Sequence, residues 1–229
     1  MNTYELISES REVSGFERVA LRCPAGEAIL IITQGDKEAL TIHARQKIAN
    51  RIKTEVKGRR LTITAGGTWS NRLGDMLQTS LTRPQITYCL TVSTLVDLEV
   101  TGFAQVRLDN LNTERLALTF SGAGGVRIGA LATRLLEVDL RWAGQVEVAG
   151  NVKEQRVQVS MGTYSAAKLE SRKAEVTLRG AGYATVWAVD VLDLNVRGPG
   201  GVAYYGAPTV RRSLSPVARV TRLGALPVS

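Results

Sequence analysis

The 229-residue chain has one histidine, two cysteines and only 5% aromatic residues. Each scarcity excludes a chemistry. A lone His43 cannot build a multi-histidine metal site. As a general base it would need a nucleophile and an orienting group, and neither can be placed beside it. Cys23 and Cys89 stand far apart, outside any Cys-x-x-Cys spacing. Two thiols make neither a disulfide framework nor a structural zinc site, although one bridge between them stays open. No Gly-x-Ser-x-Gly nucleophile elbow occurs. The glycine-rich stretches Gly122-Ala123-Gly124-Gly125 and Gly198-Pro199-Gly200-Gly201 lack the following helix pattern and the lysine of a phosphate cradle. No cofactor is therefore expected.

Long apolar runs are also missing. Nothing approaches 18 apolar residues, so no transmembrane helix is expected. Met1 to Leu6 has neither the basic start nor the apolar core of a signal peptide. Taken as a complete natural chain, this start points to the cytoplasm. Helical periodicity is nearly absent, with residues 45–56 the best and a weak candidate.

What the chain does contain is a repeat. Short strands end at corner positions 102, 122, 142, 161, 180 and 198, so the spacing runs 20, 20, 19, 19 and 18. Such a period marks a solenoid. Four positions before each corner stand Leu98, Leu118, Val138, Val157, Val176 and Leu194. Two before it stand Val100, Phe120, Leu140, Val159, Leu178 and Val196. Polar residues alternate with them, giving one dry and one wet face. After the corner, Val106, Val126, Val146, Ser165, Ala184 and Val202 are expected to form a further inward column. Leu108, Ile128, Val148, Ala167, Val186 and Tyr204 are expected to form the next. One unit cannot bury these faces alone, but stacked units can. The expected fold is all-β: a right-handed parallel β-helix with coils of about 18–20 residues. Gly102, Gly122, Gly180 and Gly198 are expected to turn the corners at positive φ. Trp142 and Met161 interrupt that column, so those two coils must turn differently.

Residues 1–84 lack this repeat and read as an irregular N-terminal β lobe with a connecting loop, packed on the first coil. Phe16 to Leu21 and Ala28 to Ile32 read as strands, Ala39 to His43 as a returning strand, and Val56 to Ile63 as a hairpin turning at Lys57-Gly58. The loop over 67–84 holds Trp69, Leu73, Met76 and Leu77 as an amphipathic turn or a contact. Residues 85–229 are expected to be the β-helix, with Pro216 at a seventh corner and an apolar tail that caps the end or pairs with another subunit.

The corners carry a resemblance. Ser121-Gly122-Ala123-Gly124, Arg179-Gly180-Ala181-Gly182 and Arg197-Gly198-Pro199-Gly200-Gly201 resemble the repeated Ser-Gly-Ala-Gly motif of the bacterial head GIN domain family. Tyr204-x-Gly206-x-Pro208 is similar to that family's closing phrase. Ser14-Gly15-Phe16-Glu17-Arg18-Val19 and Gln34-Gly35-Asp36 are similar to its opening ones. The resemblance spans about residues 13–212. It implies a β-helical fold, an adhesin-type role and, in many members, export to the cell envelope. It brings no catalytic residues with it.

Charge bears on partners. Lysine and arginine total 29 against 21 acidic residues, a net charge of +8. The basic residues are scattered and not interleaved with aromatics, so no specific nucleic-acid partner is expected. Arg141, Arg179 and Arg197 share one outward column, interrupted by Ser160, and form the candidate face for an anionic ligand. The expected partners are an acidic polysaccharide, a cell-surface protein, or further copies of the chain through the solenoid ends. The expected role is a non-catalytic structural or adhesin-like module. The alternative is a carbohydrate-active β-helix enzyme, a lyase or hydrolase. Its carboxylates would come from the outward column Asp97, Glu137, Glu175 and Asp193, which Ala117 and Arg156 interrupt. Glu175 and Asp193 would be the working pair, on consecutive coils.

Overall fold

The computed structural model describes residues 6–65 and 85–224. The chain is all-β. Among the described residues thirteen strands join one sheet, and the only helix is the single turn α1 (Gln46–Ala49). The helical signal over 45–56 shrinks to that turn because β4 (Ile52–Lys57) starts three residues later.

Most of the sheet is a parallel ladder. β2 (Arg18–Gln34) pairs with β7 (Asp97–Leu140), which pairs with β8 (Gly144–Val159). β9 (Thr163–Leu178) and β10 (Tyr183–Val196) follow in order. β10 then takes β11 (Gly201–Tyr205) and β12 (Thr209–Leu214), and β11 takes β13 (Arg219–Gly224). Each segment from one corner to the next is a rung of this ladder. Val138 pairs with Val157, Val157 with Val176, and Val176 with Leu194. Leu140, Val159, Leu178 and Val196 stack the same way, and all eight side chains are buried. Burial of each such side chain stabilises by roughly 1.5–3 kcal/mol. The alternation in the sequence thus becomes two aligned apolar columns.

At the N-terminal end the sheet is mixed, so the parallel arrangement that the repeat predicts for 85–229 does not extend to the whole sheet. β3 (Ala39–Arg45) runs antiparallel to both β1 (Leu6–Arg11) and β6 (Gln85–Val92), and β4 runs antiparallel to β5 (Arg60–Ala65). The turn between β4 and β5 accounts for the reversal of that pair. Gly58 (φ 57) and Arg59 (φ 61) are both left-handed, the two-residue geometry that matches hairpin twist. β2 belongs to both regions: it pairs in parallel with β5, β6 and β7.

Two expectations are corrected. Of the four corner glycines, only Gly102 has positive φ, at 98. Gly122, Gly180 and Gly198 are needed for closeness instead. A Cβ on Gly122 would lie 1.8 Å from the Gly102 carbonyl oxygen, and one on Gly198 2.5 Å from that of Gly180. The post-corner columns also slip by one residue in β9. Tyr164 and Ala166 are buried where Ser165 and Ala167 were expected, and Tyr164 pairs with Val146 and Ala184. The cause is a shorter corner. Val159 to Tyr164 spans five residues, whereas Leu140 to Val146 and Leu178 to Ala184 span six.

A third inward column carries polar groups that sequence patterning missed. Gln155 lies between Leu136 and Ala174 in register and is fully buried. The Tyr164 hydroxyl donates to its Oε1 (3.0 Å), and its Nε2 donates to Ser171 Oγ (2.8 Å). Ser171 in turn donates to the Trp187 carbonyl (2.6 Å). The thread satisfies each buried polar atom in sequence, as low-dielectric surroundings require. Burial pushes the Tyr164 hydroxyl's pKa far up, so it remains a donor.

The last of the described rungs carries charge at inward positions. The register places Arg212 beneath Leu194 and Arg222 beneath Tyr204, in inward columns, and both are exposed. Charged side chains at inward positions blunt an open sheet end. Cys23 and Cys89 are both free thiols, so no bridge joins them. Burial pushes the Cys23 thiol up to about 12.

Two measurements follow from this packing. Gly122→Ala should lower stability by about 2–3 kcal/mol in denaturant unfolding, because the backbone of two rungs must separate. Gly35→Ala, whose Cβ meets only a Thr91 methyl at 3.1 Å, should cost much less, about 1 kcal/mol or below. In native protein at pH 8, a thiol reagent should leave Cys23 unmodified until the chain unfolds. Labelling of Cys23 as fast as Cys89 would contradict its burial.

Candidate functional site

The outward side chains of the ladder form long columns, and their electrostatics differ. One column runs Asp97, Ala117, Glu137, Arg156, Glu175 and Asp193, as its register partners show. Two of its acidic residues, Asp97 and Glu137, are paired with arginines, whereas Glu175 and Asp193 have no ion pair among the described residues. Arg60 of β5 reaches across the intervening β2 to bridge Asp97 (2.7 Å) and Glu99 (2.8 Å). Glu137 is held by Arg115 and, at 3.7 Å, by Arg156. Glu154 takes Arg156 at 3.1 Å and Lys173 at 3.4 Å. Burial would raise the Glu154 carboxyl, but the hydrogen bond and charge of Arg156, with Lys173, outweigh it and hold it below the usual range. This is a ladder of exchanged partners on a solvated face, the common fate of surface charges.

Glu175 and Asp193 do sit directly opposite each other in register. The shallow groove on this face, about 260 Å³, is lined by Glu137, Asp139, Arg156, Gln158, Glu175 and Thr177 but does not reach Asp193. It therefore does not bring the two carboxylates together around a cavity. His43 is exposed on β3. Among the described residues no three of His, Cys, Asp and Glu are grouped to hold a metal ion. No helix among them is long and apolar enough to cross a membrane.

The arginine column has a different character. The backbone N–H groups of Arg141, Ser160, Arg179 and Arg197 each donate to the preceding rung, at Phe120, Leu140, Val159 and Leu178. That bonding stacks the four residues just before the corner. All three arginines are exposed. Arg141 donates from Nε to Asp139 (2.8 Å). Arg197 donates to the neutral Asn195 carbonyl oxygen (3.3 Å), and Arg179 has no ion pair among the described residues. Positive charge is thus unbalanced toward the C-terminal rungs. The imbalance continues in the chain: from 194 to 229 there are five arginines and no aspartate or glutamate.

Sequence patterning marked Trp142 only as an interruption of the corner column and passed over Tyr183, although both stand beside the arginines. Trp142 is 61% exposed and Tyr183 57% exposed, both at the corner edge. The available signal was Trp142 itself, a large apolar residue where the corner column otherwise favours glycine. Residues Trp69, Leu73, Met76 and Leu77 lie outside the described residues, as does the chain beyond 224.

Comparison with known structures supports the fold. A "putative adhesin" from Bacteroides fragilis superposes with a TM-score of 0.84 at 23% identity, covering 96% of this chain and 97% of that one. A "putative lipid binding protein" from Parabacteroides distasonis gives 0.70 at 20% identity, covering 97% and 98%. A "putative adhesin" from the same species gives 0.72 at 19% identity, covering 96% and 98%. No curated protein matches the chain. Across residues 24–208 the sequence matches the family model described as "Putative auto-transporter adhesin, head GIN domain", and the chain belongs to that family.

Proposed function

We propose that this chain is a non-catalytic, adhesin-like binding module whose ligand is anionic and docks along Arg141, Arg179 and Arg197. In this reading the parallel tract, 85–229, winds as a right-handed β-helix, and residues 1–84 cap its N-terminal end. The family's adhesin description favours a place at the cell envelope or outside the cell. The observation that carries the proposal is the pair Arg179 and Arg197. They are exposed on adjacent rungs with no carboxylate partner among the described residues. An exposed guanidinium fork with free donors suits carboxylate, sulfate or phosphate. Stacked rungs set such forks about 4.8 Å apart, so a ligand with repeated negative charge can meet several. The acidic column of Asp97, Glu137, Glu175 and Asp193 on the same outward face favours no catalytic role, because the groove there takes in Glu137 and Glu175 but not Asp193.

The last described rungs disfavour stacking on a second copy of themselves. Arg212 and Arg222 at inward positions would meet like charges in a symmetric pair.

Two outcomes are expected. Titration with heparin at low ionic strength should give saturable binding that weakens steeply as salt rises. Arg179→Glu with Arg197→Glu should weaken it about a hundredfold, at roughly tenfold per lost charged contact. Unchanged affinity in that double variant would remove the arginine column from the binding edge.

A further inference from the structure

The corner edge of the ladder is an apolar ridge bordered on both sides by columns without carboxylates. Seven successive corners carry apolar residues at the surface: Phe103, Ala123, Trp142 with Ala143, Met161, Ala181, Pro199 and Val217. All except Ala123, which is half-buried, are exposed. The column before the corner, from Thr101 to Ser215, contains only threonine, serine and arginine. The column after it runs Gln105, Gly125, Gln145, Thr163, Tyr183, Gly201 and Arg219 in register. Acidic residues resume only farther out, at Glu99 and Asp139 on one side and Glu147 on the other. Singly scattered surface apolar residues need no explanation, but a contiguous row does. At about 4.8 Å per rung, seven rungs span about 29 Å.

We infer that this edge binds a linear anionic polysaccharide lying along the stack, with sugar rings packed on Trp142 and Tyr183 and its acid groups on the arginine column. The inference rests on the anionic-ligand reading above and names the ligand's class. Three features select a sugar polymer. First, the ridge supplies flat aromatic faces, and flanking Gln145, Thr163 and Ser160 supply hydroxyl and amide partners for ring hydroxyls. Tyr183 is already laid down: its ring sits over Gly201, 3.1 Å from where a Cβ would be. Second, the features are periodic and straight, which suits a repeating polymer more than a compact ligand. Third, a peptide strand has no free edge to join here. The pre-corner N–H groups of Arg141, Ser160, Arg179, Arg197 and Ser215 already donate to the preceding rung. Recognition must come from side chains.

The test uses the full chain with polygalacturonate and heparin as probes. Dextran, polyglutamate and phosphatidylglycerol vesicles serve as comparisons. Both acidic polysaccharides should bind, with dextran at least tenfold weaker. Trp142→Ala with Tyr183→Ala should reduce polygalacturonate affinity by about tenfold or more, at roughly 1 kcal/mol per aromatic contact. The thermal midpoint should not move, because both side chains are exposed. Trp142→Phe should retain most of the binding. If the aromatic pair has no effect while Arg179→Glu with Arg197→Glu abolishes binding, the ring-stacking inference fails and the anionic-ligand reading survives. If neither polysaccharide binds, both fail. Tighter binding to polyglutamate would overturn the inference in favour of an acidic peptide, and binding to the vesicles alone in favour of an anionic membrane.

Discussion

The carbonyl oxygen of Gly102 occupies the space where a side chain at position 122 would begin. That backbone contact between rungs is the constraint on which the rest of the structure depends. It lets the corner fold back at nearly the strand-to-strand distance of a sheet, so the flanking strands can pair in parallel over their length. Once they pair, Val138, Val157, Val176 and Leu194 must fall in line, and so must the residues facing water. The arginine column and the apolar ridge are by-products of this spacing, since any outward property placed once per rung becomes a stripe.

The corners also show how the same outcome is reached by different means. Gly122, Gly180 and Gly198 admit the neighbouring backbone by having no Cβ. At position 142 a tryptophan stands instead, and at 161 a methionine followed by Gly162, which takes positive φ (97). That corner is one residue shorter, which brings the bulky Tyr164 inward. Tyr164 then needs a partner, and Gln155 and Ser171 supply a chain of hydrogen bonds that ends on the Trp187 carbonyl. One shortened corner thus accompanies a polar thread in an otherwise aliphatic core. Tyr88 is a contrasting case: its buried hydroxyl has no hydrogen-bond partner among the described residues.

Charge is distributed with the same economy. On the broad face, Arg60, Arg115 and Arg156 are shared among carboxylates, and the face is close to neutral. At the corner edge and the C-terminal rungs the acids disappear. The net charge of +8 is therefore not spread evenly, and Arg179 and Arg197, without carboxylate partners among the described residues, lie along the edge that carries the exposed Trp142 and Tyr183. A ligand drawn by those arginines would meet Trp142 and Tyr183 on arrival.

The amino-acid pattern alone determined the all-β class, the roughly 19-residue offset and the two pre-corner columns, because period-2 alternation and repeated corners survive in any environment that buries one face. It also determined which column carries Arg141, Arg179 and Arg197. It could not show why the glycines were there, since positive φ and close approach demand the same residue. Nor could it show the slip at Tyr164, because Ser165 and Ala167 fit the spacing of their neighbours and only the length of the corner decides. A returning strand at β3 was legible, but its pairing with β1 and β6, and the burial of Gln155, were decided by tertiary structure. Strand partners and a satisfied polar core group each depend on residues far away in the chain, and local patterning carries no record of them.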